Sequence, residues 1–113
     1  MTRRPAEDKV AKVLADGLSD PRSHLNGTEL LLLSEGCLPL DRIIHTIEGF
    51  VLKDGFQYLA MEFSLFGQDP EEEERPWPDR AKDSHAIVSE IGAAANASGE
   101  IVVFQVWLEW ADD

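Results

Sequence analysis

The chain has 113 residues, which suits one domain, and its apolar fraction of 43 % is that of a globular protein rather than a disordered one. It carries 22 Asp and Glu against 10 Lys and Arg, a formal net charge of −12. Nucleic-acid binding draws its affinity from Lys and Arg that neutralise phosphates, and anionic lipid headgroups repel an anionic surface. The composition therefore argues against both nucleic acid and membrane as partners.

The single cysteine, Cys37, excludes an internal disulfide framework and favours a reducing compartment. The charged start of the chain contains no apolar stretch typical of a secretory signal. The longest aliphatic run, from Leu30 to Leu33, is too short to span a bilayer. We therefore expect a cytoplasmic protein.

The first part of the chain predicts one helix followed by one strand. Apolar residues recur at helical spacing from Val10 to Leu18, so residues 5–18 predict an amphipathic helix, with Gly17 as a candidate helix end. The apolar run at 29–34 has the length of a buried strand, although a helical turn also fits it.

The next segment has two competing interpretations. Asp41 is a suitable N-cap for a short helix that would carry Ile43, Ile44 and Ile47 and stop at Gly49. A strand that runs through the same residues is the alternative.

The clearest local signal is the dipeptide Asp54-Gly55 between two apolar segments. Both residues accept positive φ values, which a two-residue type I′ hairpin requires. The strand predicted after this turn covers residues 56–66 and alternates between apolar and more polar side chains. The residues that this alternation places in the core are Leu59, Met61, Phe63 and Leu65.

The last part of the chain predicts a long loop, a helix and a strand. Residues 67–83 are rich in charge and include Pro76-Trp77-Pro78, whose prolines favour a stiff, extended conformation. Residues 84–97 predict a helix that ends at Gly99. The strand predicted at 101–110 is apolar on one face and half apolar on the other, so we place it centrally in the sheet.

These elements predict a single small α+β domain over residues 1–113, with a mainly antiparallel or mixed sheet and two to three helices packed on it. The acidic loop at 67–83 would be its longest connection.

Neither a metal site nor a catalytic motif stands out. The histidines His24, His45 and His85 are widely separated, and Cys37 pairs with none of them at the short spacings of structural zinc sites. His45 and Glu48 would share one face of a helix as a general acid and base, but solvated helix surfaces show the same pattern. We expect no metal, no cofactor, no catalytic residue and no enzymatic activity.

The acidic segment is the candidate for function. Residues 69–113 carry twelve acidic and three basic side chains, a net charge of −9. Trp77 follows the run of acids closely, and Trp107 points away from the main apolar face of its strand; aromatic residues beside charges are typical of binding anchors. A solvated loop that serves only solubility is the competing interpretation. The predicted partner-binding residues are Asp69, Glu71, Glu72, Glu73, Glu74, Trp77, Asp79 and Trp107.

These residues favour a small acidic inhibitor that occludes a basic, nucleic-acid-handling protein, the design of bacterial immunity proteins against nuclease toxins and of some phage inhibitors. Its carboxylates would meet Lys and Arg that normally hold phosphates. A second hypothesis is an assembly subunit or adaptor, with a homodimer as one form, that uses the half-apolar face of strand 101–110. A third is a small enzyme or ligand-binding domain whose site, near His45 and Tyr58, forms only in three dimensions.

Overall fold

The computed structural model describes residues 5–66 and 74–110. Within these ranges the chain forms three helices and five strands, which confirms the predicted α+β class. The helices are α1 (Pro5–Asp16), α2 (Gly27–Cys37) and α3 (Trp77–Ala97). The strands are β1 (Leu25–Asn26), β2 (Arg42–Lys53), β3 (Phe56–Leu59), β4 (Leu65–Phe66) and β5 (Ile101–Trp110).

The strands form one antiparallel sheet in the order β1-β5-β2-β3, and β4 pairs with β2 on the same edge as β3. The long pairing of β5 with β2 is the spine of the sheet. On its other edge β5 pairs with β1 and, at Trp107, with Leu18. The central position predicted for strand 101–110 is therefore confirmed.

The helices lie on one face of the sheet. Both α2 and α3 contact β2 and β5, while α1 packs against α2. No helix in the described part of the chain combines the length and the apolar character needed to cross a membrane. The core between the layers includes Leu30, Leu33, Cys37 and Val88 from the helices and Ile44, Ile47, Phe104 and Val106 from the strands.

The helix predicted at 5–18 is confirmed but ends at Asp16, because Gly17 adopts a φ of 82°. The backbone then turns away from the helix axis. Leu18, which the prediction placed on the apolar face of the helix, instead pairs with β5 and is 45 % exposed.

The strand predicted at 29–34 is wrong, because these residues belong to α2. The Asn26 side chain accepts the N–H of Glu29, and the Glu29 carboxylate accepts the N–H of Asn26, both at 2.8 Å. This reciprocal capping satisfies N–H groups that have no partner inside the helix and so fixes where the helix begins. Leu30 and Leu33 then reach the core from one helical face.

The helix predicted from Asp41 is also wrong, and the competing strand interpretation is correct. Asp41 has a φ of 53°, in the left-handed region, and ends a 3-10 turn at Leu38–Leu40 rather than beginning a helix. The residues after it are rich in β-branched side chains, which favour a strand. They form the first half of β2.

The predicted hairpin is confirmed. Asp54 and Gly55 have φ values of 53° and 81°, as a type I′ turn requires, and Lys53 lies directly opposite Phe56.

The single strand predicted at 56–66 is wrong, because a 3-10 turn at Met61–Phe63 separates β3 from β4. The chain crosses over Gly49 of β2 at this point. The Gly49 carbonyl accepts the N–H of Ala60 at 2.8 Å, and the Gly49 N–H donates to the Ser64 hydroxyl at 3.0 Å.

The absence of a side chain at Gly49 gives Phe63 its place in the core. A Cβ atom on Gly49 would lie 2.2 Å from the Phe63 carbonyl oxygen. Of the four residues that the alternation placed in the core, only Phe63 is buried; Leu65 is half-buried, and Leu59 and Met61 are exposed.

The helix predicted at 84–97 is confirmed over its length but begins earlier, at Trp77. The end of the predicted loop, residues 77–83, is therefore helical. Gly99 has a φ of 78°, which agrees with its predicted role in ending the helix.

Candidate protein-binding surface

The structure describes four of the eight predicted partner-binding residues. Glu74 and Asp79 are exposed near the start of α3. An acid in the first turn of a helix is also stabilised by the helix dipole, so Asp79 has a local role besides any binding role. The predicted residues that lie outside the described ranges are Asp69, Glu71, Glu72 and Glu73.

Trp77 is the first residue of α3 and is half-buried. The Pro76 carbonyl accepts the N–H groups of Asp79 and Arg80 at 3.0 and 3.1 Å. Pro78 suits the first turn, because an N–H there would have no helical partner. The stiff, extended segment predicted through Pro78 is therefore wrong beyond Pro76, which is itself extended with a ψ of 142°.

Arg80 ties the start of α3 to β5. Its Nη2 donates to both carboxylate oxygens of Glu109, at 2.8 and 2.9 Å. Its guanidinium also lies over the Trp77 ring, 5.3 Å from the ring centroid. One face of Trp77 is therefore occupied by its own chain, and what Trp77 offers a partner is its remaining exposed part.

Trp107 lies on the sheet face opposite the helices. It stands directly across from Thr46 of β2, which stands across from Phe66 of β4, while Leu18 flanks Trp107 on its other side. Residues directly opposite in antiparallel strands project to the same face, so these four form one row across the sheet. Phe66 is 55 % exposed and Trp107 is half-buried.

Further rows continue along this face. Val103, Phe50 and Leu59 form a second apolar row, and Ile101 and Leu52 begin a third. Leu59 is 50 % and Ile101 65 % exposed. We call this surface the open face; it consists of Leu18, Thr46, Glu48, Phe50, Leu52, Gln57, Leu59, Phe66, Ile101, Val103, Gln105 and Trp107.

The turn between α1 and β1 covers a small part of the open face. His24 contacts Phe50 edge-on, with ring centroids 5.6 Å apart. The Gln105 side chain is buried, and its amide donates to the Ser19 carbonyl of this turn. The rest of the face has no helix over it in the described part of the chain.

Charge on the open face is sparse, and acids prevail around it. Among the residues of the open face Glu48 alone is charged, half-buried in the polar row with Gln105, while Glu109 follows Trp107 on the same side of β5 and pairs with Arg80. On the turns that adjoin its strands and at the end of β2 the exposed charges are five acids and two bases, a net charge of −3. These residues are Asp20, Asp41, Asp54, Glu62 and Glu100, with Arg22 and Lys53.

Sequence reasoning found Trp107 but missed most of the open face. Phe50 and Leu52 belong to β2, whose first half the prediction assigned to a helix. Leu59 was assigned to the core. The one signal of the open face in the sequence was the half-apolar second face of strand 101–110. That face includes Ile101, Val103 and Trp107.

A second polar cluster lies among α2, β2 and α3. The Ser34 hydroxyl and His85 Nδ1 are hydrogen-bonded at 2.7 Å, and Cys37 and Arg42 lie beside them. The cavity that they line has a volume of about 10 Å³, room for roughly one water molecule. A serine, a histidine and a thiol thus meet here without space for a substrate.

Burial raises the pKa of the Cys37 thiol from 9.0 to about 11, and the nearby Arg42 charge lowers it only in part. A thiol whose pKa is higher in the folded state binds its proton more tightly there. Stability is therefore complete below pH 9 and falls as the pH rises toward 11. We expect this group to lower the free energy of unfolding by about 1.4 kcal/mol at pH 10.

Urea unfolding at pH 8 and pH 10, for the wild type and Cys37→Ala, measures this contribution. The variant should lose less stability than the wild type over this range, by about the same 1.4 kcal/mol. Equal losses in the two proteins would contradict the assignment, because lysine and tyrosine titration is common to both.

The acid/base pair predicted at His45 and Glu48 does not form a shared helix face. His45 lies on β2 at an irregularity in the pairing with β5, where its Nδ1 is hydrogen-bonded to the Thr46 hydroxyl at 2.8 Å. Tyr58 lies opposite Val51, six residues along β2 from His45 and so about 20 Å away. These two residues therefore do not line one pocket.

Among residues 5–66 and 74–110, no group of three or more His, Cys, Asp or Glu side chains could hold a metal ion. Comparison of the chain with models of known families, with curated proteins and with solved structures gave no match.

Proposed function

We propose that this protein is a small protein-binding inhibitor that covers a basic surface of its partner with the open face. The observation that carries the proposal is the open face itself, with rows of exposed apolar side chains across an antiparallel sheet. Contiguous apolar surface of this kind on a folded chain is typical of an interaction site. The open face is thus a second element, besides the acidic segment, that favours a protein-binding function.

The chemistry of the face indicates the kind of partner. Its apolar rows, which include Leu59 and Ile101, would be desolvated at the centre of the contact, where binding energy concentrates. The excess of acids around it and the net charge of −12 favour a partner whose apolar patch is ringed by Lys and Arg. Such rings hold phosphates in nucleic-acid-handling proteins, so occupying one would inhibit by occlusion.

The test is the double variant Leu59→Arg/Ile101→Arg, which places two cations on the open face. We expect it to weaken the complex at least tenfold, because both side chains would lose apolar contact and meet a basic partner. The immobilised wild type and variants are used to retain proteins from extracts of the source organism. A protein of high isoelectric point that the wild type retains and the face variant does not is then purified. Its Kd for the wild type and for each variant is measured.

The matched control is Leu40→Arg/Ile87→Arg. These residues are apolar and 48 and 42 % exposed, and they lie outside the open face. The control therefore changes the net charge by the same amount as the face variant but leaves the open face unaltered. Its Kd should stay within about threefold of wild type, and the wild-type association rate should fall steeply with salt. Retention of the same proteins by wild type and face variant would contradict the proposal.

An assembly subunit is the second candidate, and one observation favours it: the open face carries one charged residue, Glu48, so two copies could pack sheet against sheet. The charge of −12 on each copy opposes this. Light scattering after size-exclusion chromatography decides between them. A dimer that persists in high salt and dissociates in the Leu59→Arg/Ile101→Arg variant would support assembly; a monomer supports inhibition.

A further inference from the structure

A cleft of about 520 Å³ lies between α1 and the turn that follows it. Its volume is in the range of roughly 300–1,000 Å³ that is typical of sites for organic groups. Val13 and Leu18 supply its apolar lining. Its charged groups are Lys9, Lys12 and Asp16, from one face of α1, and Asp20 from the turn.

The electrostatic balance of the cleft is negative. The Lys9 ammonium is already engaged, since it donates to the Glu29 carboxylate at 3.2 Å and to the His24 carbonyl. The remaining charged side chains of the cleft are Lys12, Asp16 and Asp20, and their net charge is −1.

The end of α1 adds to this negative potential. Asp16 is in the last turn of α1, where the helix carbonyls carry a partial negative charge, and that turn contains no basic residue. In the described part of the chain no ion pair engages the Asp16 carboxylate. An acid at this end of a helix is unfavourable by itself, and a bound cation would relieve it.

The cleft is continuous with the open face. Leu18 lines the cleft and also stands beside Trp107 in the first row of the face. A partner that covers the open face would therefore have its edge at the mouth of the cleft.

We propose that the cleft receives an arginine side chain of the basic partner, an inference that rests on the proposed function. The aliphatic part of the side chain packs on Val13 and Leu18, and the guanidinium binds Asp16 and Asp20. Arginine suits the cleft better than lysine, because its planar guanidinium packs flat on apolar surface while its N–H groups bind two carboxylates at once.

The first experiment uses a small probe and needs no partner. Nα-acetylarginine N-methylamide is titrated into the ¹⁵N-labelled protein, and amide shifts are followed by NMR. Saturable shifts are expected in α1 around Val13 and Asp16 and in the turn around Leu18 and Asp20. The corresponding lysine probe should bind several-fold more weakly, and the glutamine probe should produce no saturable shifts.

The decisive variant is Asp16→Asn/Asp20→Asn. The Asp20 side chain accepts the Arg22 N–H at 2.8 Å, and asparagine keeps that acceptor, so the fold is retained. The variant should weaken the arginine probe about tenfold, while the control Glu35→Gln/Glu90→Gln, which removes two exposed acids of α2 and α3 outside the cleft and the open face, leaves it unchanged. Equal binding by both variants, or saturable shifts confined to other residues, would overturn the proposal.

The second experiment uses the partner captured through the open face. Asp16→Asn/Asp20→Asn should raise its Kd about tenfold and the control less than threefold. If the partner binds this variant as tightly as wild type, the cleft inference fails and the proposed function stands. If no basic protein depends on the open face, the proposed function fails, and the probe titration alone decides whether the cleft selects arginine.

Discussion

Replacing Gly49 by alanine should lower the free energy of unfolding by about 3 kcal/mol or more. The added Cβ would lie 2.2 Å from the Phe63 carbonyl oxygen and 2.7 Å from the Phe63 Cβ. The chain cannot yield locally, because Ala60 and Ser64, on either side of the 3-10 turn, are both hydrogen-bonded to the Gly49 backbone. Relief would lift Phe63 out of the core and separate β3 and β4 from β2.

Urea unfolding of Gly49→Ala, read as a midpoint shift at constant slope, measures this cost. Gly99→Ala is the matched control: Gly99 has a φ of 78°, but an added Cβ meets nothing within 4 Å. That variant carries backbone strain alone, about 1–2 kcal/mol. A Gly49→Ala protein no less stable than Gly99→Ala would show that the turn does not rest on Gly49 in solution.

Local sequence signals predicted the parts of the fold that depend on neighbouring residues. The hairpin at Asp54-Gly55 and the helix end at Gly99 follow from backbone conformations that few residues adopt. The apolar run inside α2 led to the wrong prediction of a strand. Four consecutive leucines show neither helical nor strand periodicity, so they do not distinguish the two structures. The better signal was Asn26 followed three residues later by Glu29, a pattern that is typical of a helix start.

The break between β3 and β4 could not be predicted from alternation. Residues 56–66 alternate like one strand, but the chain leaves the sheet where Gly49, on another strand, offers room for Phe63. That room depends on a contact between residues 14 positions apart. Contacts of this kind have no local signature.

The candidate site was predictable only in part, for the same reason. Trp107 and the apolar residues beside it on β5 are visible from period-two alternation. The open face exists because Phe50 and Leu59 come into register with Val103, and this depends on strand order. The acidic run can be identified from the sequence because charge is evident there, whereas an uncovered sheet face is evident only once the helices have been placed.

Glu109→Ala should lower the free energy of unfolding by about 2–3 kcal/mol. Arg80 is 7 % exposed, and both oxygens of Glu109 accept from its guanidinium. Removing one partner of a buried ion pair typically costs 3–5 kcal/mol, and Arg80 keeps a further contact besides Glu109, which lowers the expected loss. The Glu109 side chain is 34 % exposed, so solvent screening reduces the expected loss.

The double variant Arg80→Met/Glu109→Leu distinguishes the effect of the ion pair from the effect of side-chain packing at this contact. Apolar replacement of both partners leaves no buried charge, so it should recover a large part of the stability that Glu109→Ala loses. Asp83→Ala is the control, since Asp83 pairs with Arg75 on the surface and its loss should cost less than 1 kcal/mol. Equal losses for Asp83→Ala and Glu109→Ala would mean that Arg80 does not hold the start of α3 to β5. Trp77, Glu74 and Asp79 would then have no fixed position relative to β5, and a partner could engage them only after ordering that end of the helix.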